Sequence, residues 1–348
     1  MKLSAFIPFI LIILLNGCDK FNLTPEITIN FQDPTNITES GFQISWSINS
    51  ADYQSLTFIL AEDPGFERVI SSEEFRDRSV RSTAFESLRG ADTYYYRISL
   101  LKAPGSIYIS QTKSIELPFV QEFVTIPTPD SASLKGSLYY RGALNEKRPA
   151  VILMHEFGIF VNGWINSDML KALVAEGYIC MIFSNRGHGQ SSYIENIQDL
   201  IDDPRYLAND LRGALAFISQ NERVMADSIC LMGASMGATA SVRGNGDPAV
   251  RISVALSPAN MDIGYMFPEV PLQSILYIVG DQDIVNTGNE VIDFPAHATY
   301  LYEITHNPRK LLVIENSKAH GTELLESTGV KDANLQWITT RMPVILNQ

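Results

Sequence analysis

The chain has 348 residues, 45% of them hydrophobic and 10% aromatic, which is long enough for two domains and apolar enough for a sizeable core. Its 39 acidic residues against 26 basic ones give a formal net charge of −13. That balance argues against a nucleic-acid partner, whose phosphates would be repelled, and against adhesion to an anionic bilayer by charge alone.

The first residues read as an export segment. Lys2 supplies a short basic start, and Ala5 to Leu15 is an apolar run interrupted only by Pro8. Such a run is too short for a comfortable membrane span and about right for a signal core. It ends in Leu15-Asn16-Gly17-Cys18, which resembles the lipobox of bacterial lipoproteins. The resemblance implies cleavage before Cys18, acylation of that cysteine, and a membrane partner reached through this N-terminal lipid anchor. Several acyl chains supply the burial that stable anchoring needs. The implied location is the bacterial cell envelope, on the periplasmic or surface side. Asp19 is the residue that favours inner-membrane retention in enterobacterial lipoproteins. Without the resemblance, the segment is an ordinary cleaved signal that happens to precede a cysteine. Residues 1–17 are therefore expected to be signal peptide and 18–23 a linker.

From 24 to 118 short alternating segments recur: Glu26 to Ile29, Gly41 to Ile48, Ser55 to Leu60 and Tyr94 to Leu100. Turn formers separate them, as in Asp33-Pro34, Asp63-Pro64-Gly65 and Pro104-Gly105. Short period-2 strands at this spacing predict a small all-β sandwich. The residues resemble a fibronectin type III domain of the immunoglobulin-like kind. Trp46 matches its core tryptophan, and Leu88, Gly90 and Tyr94 match the approach to its tyrosine corner, where the hydroxyl bonds to upstream backbone. No chemistry is visible in this region.

Residues 119–348 change texture. Two strands, Glu122 to Pro127 and Leu134 to Tyr140, precede a series of continuous apolar runs: Ala150 to Met154, Tyr178 to Phe183, Ile229 to Met232, Ile252 to Leu256, Ile275 to Val279 and Leu311 to Ile314. Runs of this kind suit strands buried on both faces of a mostly parallel sheet. Helical spacing of apolar residues appears over Met169 to Glu176, Leu207 to Gln220 and Ala296 to Ile304, with a closing helix over Ala333 to Leu346 whose end Pro343 disturbs. The alternation predicts one doubly wound α/β domain. Cys180 and Cys230 fall in two of the runs and are expected to be buried free thiols.

The run ending at Met232 leads into Gly233-Ala234-Ser235-Met236-Gly237. Gly-x-Ser-x-Gly between a strand and a helix places the serine on a sharp turn, with the next N–H at a helix start. A nucleophilic serine needs a base, and the base an orienting carboxylate. In an open α/β sheet these groups gather at the C-terminal ends of strands. Gly280-Asp281-Gln282-Asp283 follows one later run, and Ala319-His320-Gly321 follows another.

The order Ser235, Asp283, His320 is that of the α/β-hydrolase superfamily, which the chain from about Phe123 onward resembles. Gly280 to Asp283 matches the Gly-x-x-Asp acid turn of that superfamily, and the resemblance implies Asp283 as the acid, with Asp281 the alternative. The loop His155-Glu156-Phe157-Gly158 resembles the His-Glu-x-x-Gly oxyanion loop of dienelactone-hydrolase-like members, one residue shorter. The resemblance implies an oxyanion hole from the Met236 and Phe157 N–H groups, Glu156 being the alternative donor. Dienelactone hydrolases proper use cysteine where this chain has Ser235, so their substrate does not carry over. His188, in Arg186-Gly187-His188-Gly189, reads as structural.

Residue 159 is Ile, so no His-Glu-x-x-His helix exists, and no Cys/His cluster has ligand spacing. Neither metal nor cofactor is expected. The expected function is a carboxylesterase of the serine-hydrolase type, taking a small-molecule or polymer-linked ester. A prolyl-oligopeptidase-type serine peptidase and a non-catalytic binding lipoprotein are the alternatives. Only Ala259 to Leu272 separates two of the runs where the superfamily inserts its lid, so no large lid is expected and Ile263 to Pro268 becomes a candidate rim.

Overall fold

A computed structural model describes residues 27–103, 105–142, 146–158, 161–260, 269–286 and 290–344. The export segment, Cys18 and the linker lie outside the described residues, as does the rim candidate Ile263 to Pro268.

The N-terminal unit is two antiparallel sheets. One gathers Ile29–Phe31, Thr35–Thr38 and Ser82–Phe85 around Gly41–Ile48. The other pairs Ser55–Ala61 with Val69–Phe75 and Thr93–Leu101, and the last of these with Ile107–Ile109 and Lys113–Glu116. Alternate residues turn inward, so Phe42, Ile44 and Trp46 of one sheet share a core with Phe58, Tyr96 and Ile98 of the other. Each such burial contributes roughly 1.5–3 kcal/mol. The Tyr94 hydroxyl accepts from the Arg89 N–H at 2.8 Å and donates to the Arg89 carbonyl at 3.0 Å, pinning the turn before its strand.

The second unit is an eight-stranded sheet. Its strands are β1 (Val120–Pro127), β2 (Ser133–Tyr140), β3 (Arg148–Met154), β4 (Ile179–Ser184), β5 (Val224–Ala234), β6 (Val250–Leu256), β7 (Gln273–Gly280) and β8 (His306–Ile314). They lie in the order β1-β2-β4-β3-β5-β6-β7-β8. The β1/β2 and β2/β4 pairs are antiparallel and the rest parallel. The longer helices are α1 (Asp168–Ala175), α2 (Pro204–Ser219), α3 (Met236–Arg243), α4 (Phe294–Ile304) and α5 (Val330–Arg341).

Strand alternation sorts the apolar runs into two layers. Val151, Leu153, Cys180, Ile182, Cys230 and Met232 pack with α1 and α5. Ile152, Met154, Met181, Phe183, Ile229 and Leu231 pack with α2 and α3 on the opposite face. Val151 stands opposite both Cys180 and Cys230 in the register, so β3 separates the cysteines, which are buried and free. Burial pushes both thiols far above their usual pKa.

Two expectations shift. β8 is an edge strand, largely exposed or half-exposed, because it pairs only with β7. α5 begins at Val330 and ends at Arg341, because Pro343 cannot continue a helix. The units meet where Arg141, buried, donates to Asp92 Oδ1 at 2.8 Å and to the Val174 carbonyl at 3.1 Å.

Candidate active site

The turn between β5 and α3 explains its own glycines. Ser235 sits at φ +53°, ψ −113°, a conformation that costs a non-glycine residue about 1–3 kcal/mol. Its N–H donates to the Leu256 carbonyl on β6 at 2.8 Å, and its carbonyl accepts from the Thr239 N–H at 2.9 Å. A Cβ at residue 233 would fall on the Gly237 carbonyl, and one at residue 237 on the Met154 carbonyl. Only glycine lets α3 start this close to β3 and β5. Ser235 lines a cleft of about 610 Å³, and Met236 opens α3, where backbone N–H groups carry partial positive charge.

His320 comes from the loop after β8 and lines the same cleft. Its Nδ1 lies 2.9 and 3.1 Å from the two carboxylate oxygens of Asp283. That contact assigns the proton to Nδ1 and leaves Nε2 to accept one. Asp283 is 1% exposed, its N–H donating to the Gly280 carbonyl and its carbonyl accepting from the Phe294 N–H. The Phe294 ring packs against the imidazole with centroids 4.5 Å apart.

Asp281 faces elsewhere. Its Oδ1 accepts the Ser317 N–H at 2.9 Å, and backbone donors from Asn316 and Ser317 hold its carboxyl below the usual range. It shapes the loop leading to His320, whereas Asp283 touches the ring.

The loop after β3 is held by two histidines. His155 Nδ1 donates to the Glu156 carbonyl at 2.6 Å, and Nε2 accepts the Asn185 N–H at 3.0 Å. His188 Nε2 accepts the Gly158 N–H at 3.1 Å, while Nδ1 faces the Arg186 carbonyl at 3.3 Å. Burial lowers the His188 pKa, opposed by that carbonyl. Phe157 lines the cleft. The buried indole of Trp164 donates to the Met154 carbonyl at 2.9 Å, bracing the start of the loop.

Sequence reading missed several wall residues. Ile201, Leu207, Val285, Ile292 and Phe294 make the cleft mainly apolar, with Asp202 and Glu290 also lining it. Ile201 and Asp202 precede α2 and Leu207 lies on its first turns, Val285 and Ile292 belong to a small hairpin, Ile284–Asn286 paired with Val291–Asp293, and Phe294 opens α4. No lysine or arginine is among the described lining residues. No group of three His, Cys, Asp or Glu among the described residues is arranged to hold a metal ion.

The strand order and the serine turn after the fifth strand define the second unit as an α/β-hydrolase fold. The family model for serine aminopeptidase, S33, matches residues 145–278, which include Ser235. The search of curated proteins finds no match. Among solved structures, the chain is similar to DcsB in complex with its substrate analogue, with TM-score 0.51 and 16% identity over 64% of this chain and 99% of that one. The Pyrococcus furiosus esterase Pf2001 aligns with TM-score 0.48 and 19% identity over 64% and 94% of the two chains. Dienelactone hydrolase from Anabaena variabilis aligns with TM-score 0.48 and 21% identity over 64% and 96%. At 16% identity the likeness to DcsB is one of fold.

Proposed function

We propose that this protein is a serine hydrolase that cleaves a carboxylic ester through an acyl-enzyme. The observation that carries the reading is one cleft lined by both Ser235 on its strained turn and His320, with the His320 Nδ1 2.9 Å from buried Asp283. His320 Nε2 takes the Ser235 proton as Oγ bonds to the carbonyl carbon. Asp283 holds the tautomer and stabilises the imidazolium. The Met236 and Phe157 N–H groups donate to the oxyanion, each donor being worth about 3 kcal/mol. The intermediate then expels the alkoxide, which takes the proton from His320. Water, deprotonated by His320, attacks the acyl-enzyme and releases the acid and Ser235.

The apolar walls support an apolar acyl group as substrate, on a small molecule or a polymer. The lipobox-like Cys18 supports a chain tethered to the bacterial envelope. The two N-terminal sheets, with Tyr94 bonded back to Arg89, support a fibronectin type III-like spacer.

The test is Ser235→Ala in the full chain, read by fluorophosphonate labelling and by hydrolysis of nitrophenyl esters of rising acyl length. Loss of both supports the reading; labelling that persists at the same site refutes it, and a strict preference for acetyl refutes the apolar acyl groove. The serine aminopeptidase match favours a second reading, amide cleavage at a peptide N-terminus. Parallel assays on an aminoacyl nitroanilide separate the two.

A further inference from the structure

Glu156 stands between the two loops on which the proposed chemistry depends. Its residue is 6% exposed. Its Oε1 accepts both donors of Thr322, the backbone N–H and, at 2.9 Å, the Oγ1–H. Thr322 lies two residues beyond His320. Gly321 between them has φ +57°, and any Cβ there would fall on the Glu156 carboxylate. The Gly321 N–H donates to Ser257 Oγ at 3.0 Å, and Ser257 is fully buried just past the end of β6.

The backbone of Glu156 is equally engaged. Its carbonyl accepts from His155, whose other nitrogen accepts from Asn185 just past β4. Residue 156 therefore has its main chain fixed by the β3 and β4 ends of the sheet and its side chain fixed to the histidine loop. Hydrogen bonds to an ionised acceptor are short and about twice as strong as neutral ones, and burial strengthens them further.

Building on the reading of Ser235 and His320 given above, we propose that Glu156 is a positioning residue. Its Oε1 bonds to Thr322 set the separation between the Phe157 N–H, one residue away, and the His320 imidazole. It does not serve as the acid for His320, because Asp283 occupies Nδ1. Glutamine keeps an Oε1 acceptor and discards the charge; alanine discards both. That difference separates a brace from an electrostatic role.

The experiment compares Glu156→Ala, Glu156→Gln and Thr322→Val in the full chain, with Ser235→Ala as control. It reads kcat and KM on a nitrophenyl ester, the pH profile of kcat/KM, and the rate of fluorophosphonate labelling. A misplacement near 1 Å costs about 100-fold, so Glu156→Ala is expected to lose about 30-fold or more in kcat with little change in KM. Glu156→Gln is expected to return most of that rate with the acidic limb of the pH profile unmoved. Thr322→Val, which keeps the N–H donor, is expected to fall between, and it carries the test if Glu156→Ala does not fold. The proposal is overturned if Glu156→Gln is as slow as Glu156→Ala, if Thr322→Val matches wild type, or if the loss lies in KM alone. Activity persisting in Ser235→Ala overturns the underlying nucleophile assignment instead, so the two failures are distinguishable.

Discussion

Arg186 offers the sharpest test of how the loop after β4 is held. It is 4% exposed and saturated by two carboxylates. Its N–H and Nε donate to Asp210 on α2 at 2.8 and 2.7 Å, and its two terminal nitrogens donate to Asp130 at 2.7 and 2.9 Å. The Tyr206 ring covers the guanidinium at 4.7 Å. Asp130 is pulled well below the usual carboxylate range by the Arg186 hydrogen bonds. Asp210, fully buried, is pushed up to about 6 by desolvation, with Arg186 opposing. Arg186→Leu leaves Asp210 one backbone donor and no counter-charge, which costs about 3–5 kcal/mol. For a unit of this size that lowers the melting temperature by roughly 6–20 °C. Asp210 has a folded pKa above its unfolded 3.8, so its contribution to stability is fully present below 3.8 and lost as pH rises through about 6. Removing Arg186 raises the folded value further. The deficit of Arg186→Leu relative to wild type is therefore largest above pH 7 and shrinks toward pH 5. Urea unfolding of the hydrolase unit across that range measures it. Replacing Asp210 by Leu as well is expected to recover much of the loss. A cost under about 1 kcal/mol, a deficit that widens in acid, or a double variant no better than the single refutes the argument.

Asp283→Asn keeps the shape of the acid but not the tautomer it selects, so kcat is expected to fall about 10³–10⁴-fold, and a loss under tenfold on a nitrophenyl ester contradicts its orienting role. His188 has a folded pKa lowered by burial; its contribution to stability is present above pH 6.5 and lost as pH falls through the folded value. The stability difference between wild type and His188→Gln is thus expected to shrink from pH 7 to pH 5 in chemical denaturation, and a flat difference counts against it. Gly237→Ala drives a methyl onto the Met154 carbonyl, so a loss of at least about 1–3 kcal/mol together with slower fluorophosphonate labelling is expected; unchanged labelling removes the packing argument for that glycine.

The fully buried strands were legible because continuous apolar runs such as Ala150 to Met154 are rare outside two-sided burial. The candidate serine, aspartate and histidine are chosen because each follows an apolar run: Ile229 to Met232, Ile275 to Val279 and Leu311 to Ile314. What escaped is of two kinds. Val69–Phe75 and the paired strands Ile284–Asn286 and Val291–Asp293 are half-exposed, so their patterns mix polar and apolar residues and announce little. The contacts that hold the site are long-range: Glu156 meets Thr322 across 166 residues, and Gly158 meets His188 across 30. No local pattern encodes such pairs. α2 starts three residues before its apolar periodicity because Asp203 caps it and Pro204 fits its first turn.

Within the proposed mechanism, the choice between Phe157 and Glu156 as the second oxyanion donor turns on one peptide plane. In a planar trans peptide the carbonyl of one residue and the N–H of the next point in opposite directions. The Glu156 carbonyl is directed at His155 Nδ1, 2.6 Å away, and His155 is buried. The Phe157 N–H shares that plane, so it points away from the His155 ring. Gly158 is no competitor, because its N–H is already given to His188. Met154, three residues upstream of Phe157, is fixed by Trp164 and lies against Gly237 at the start of α3. In the proposed mechanism the spacing between the Met236 and Phe157 N–H groups is therefore set where β3 and α3 touch over a glycine.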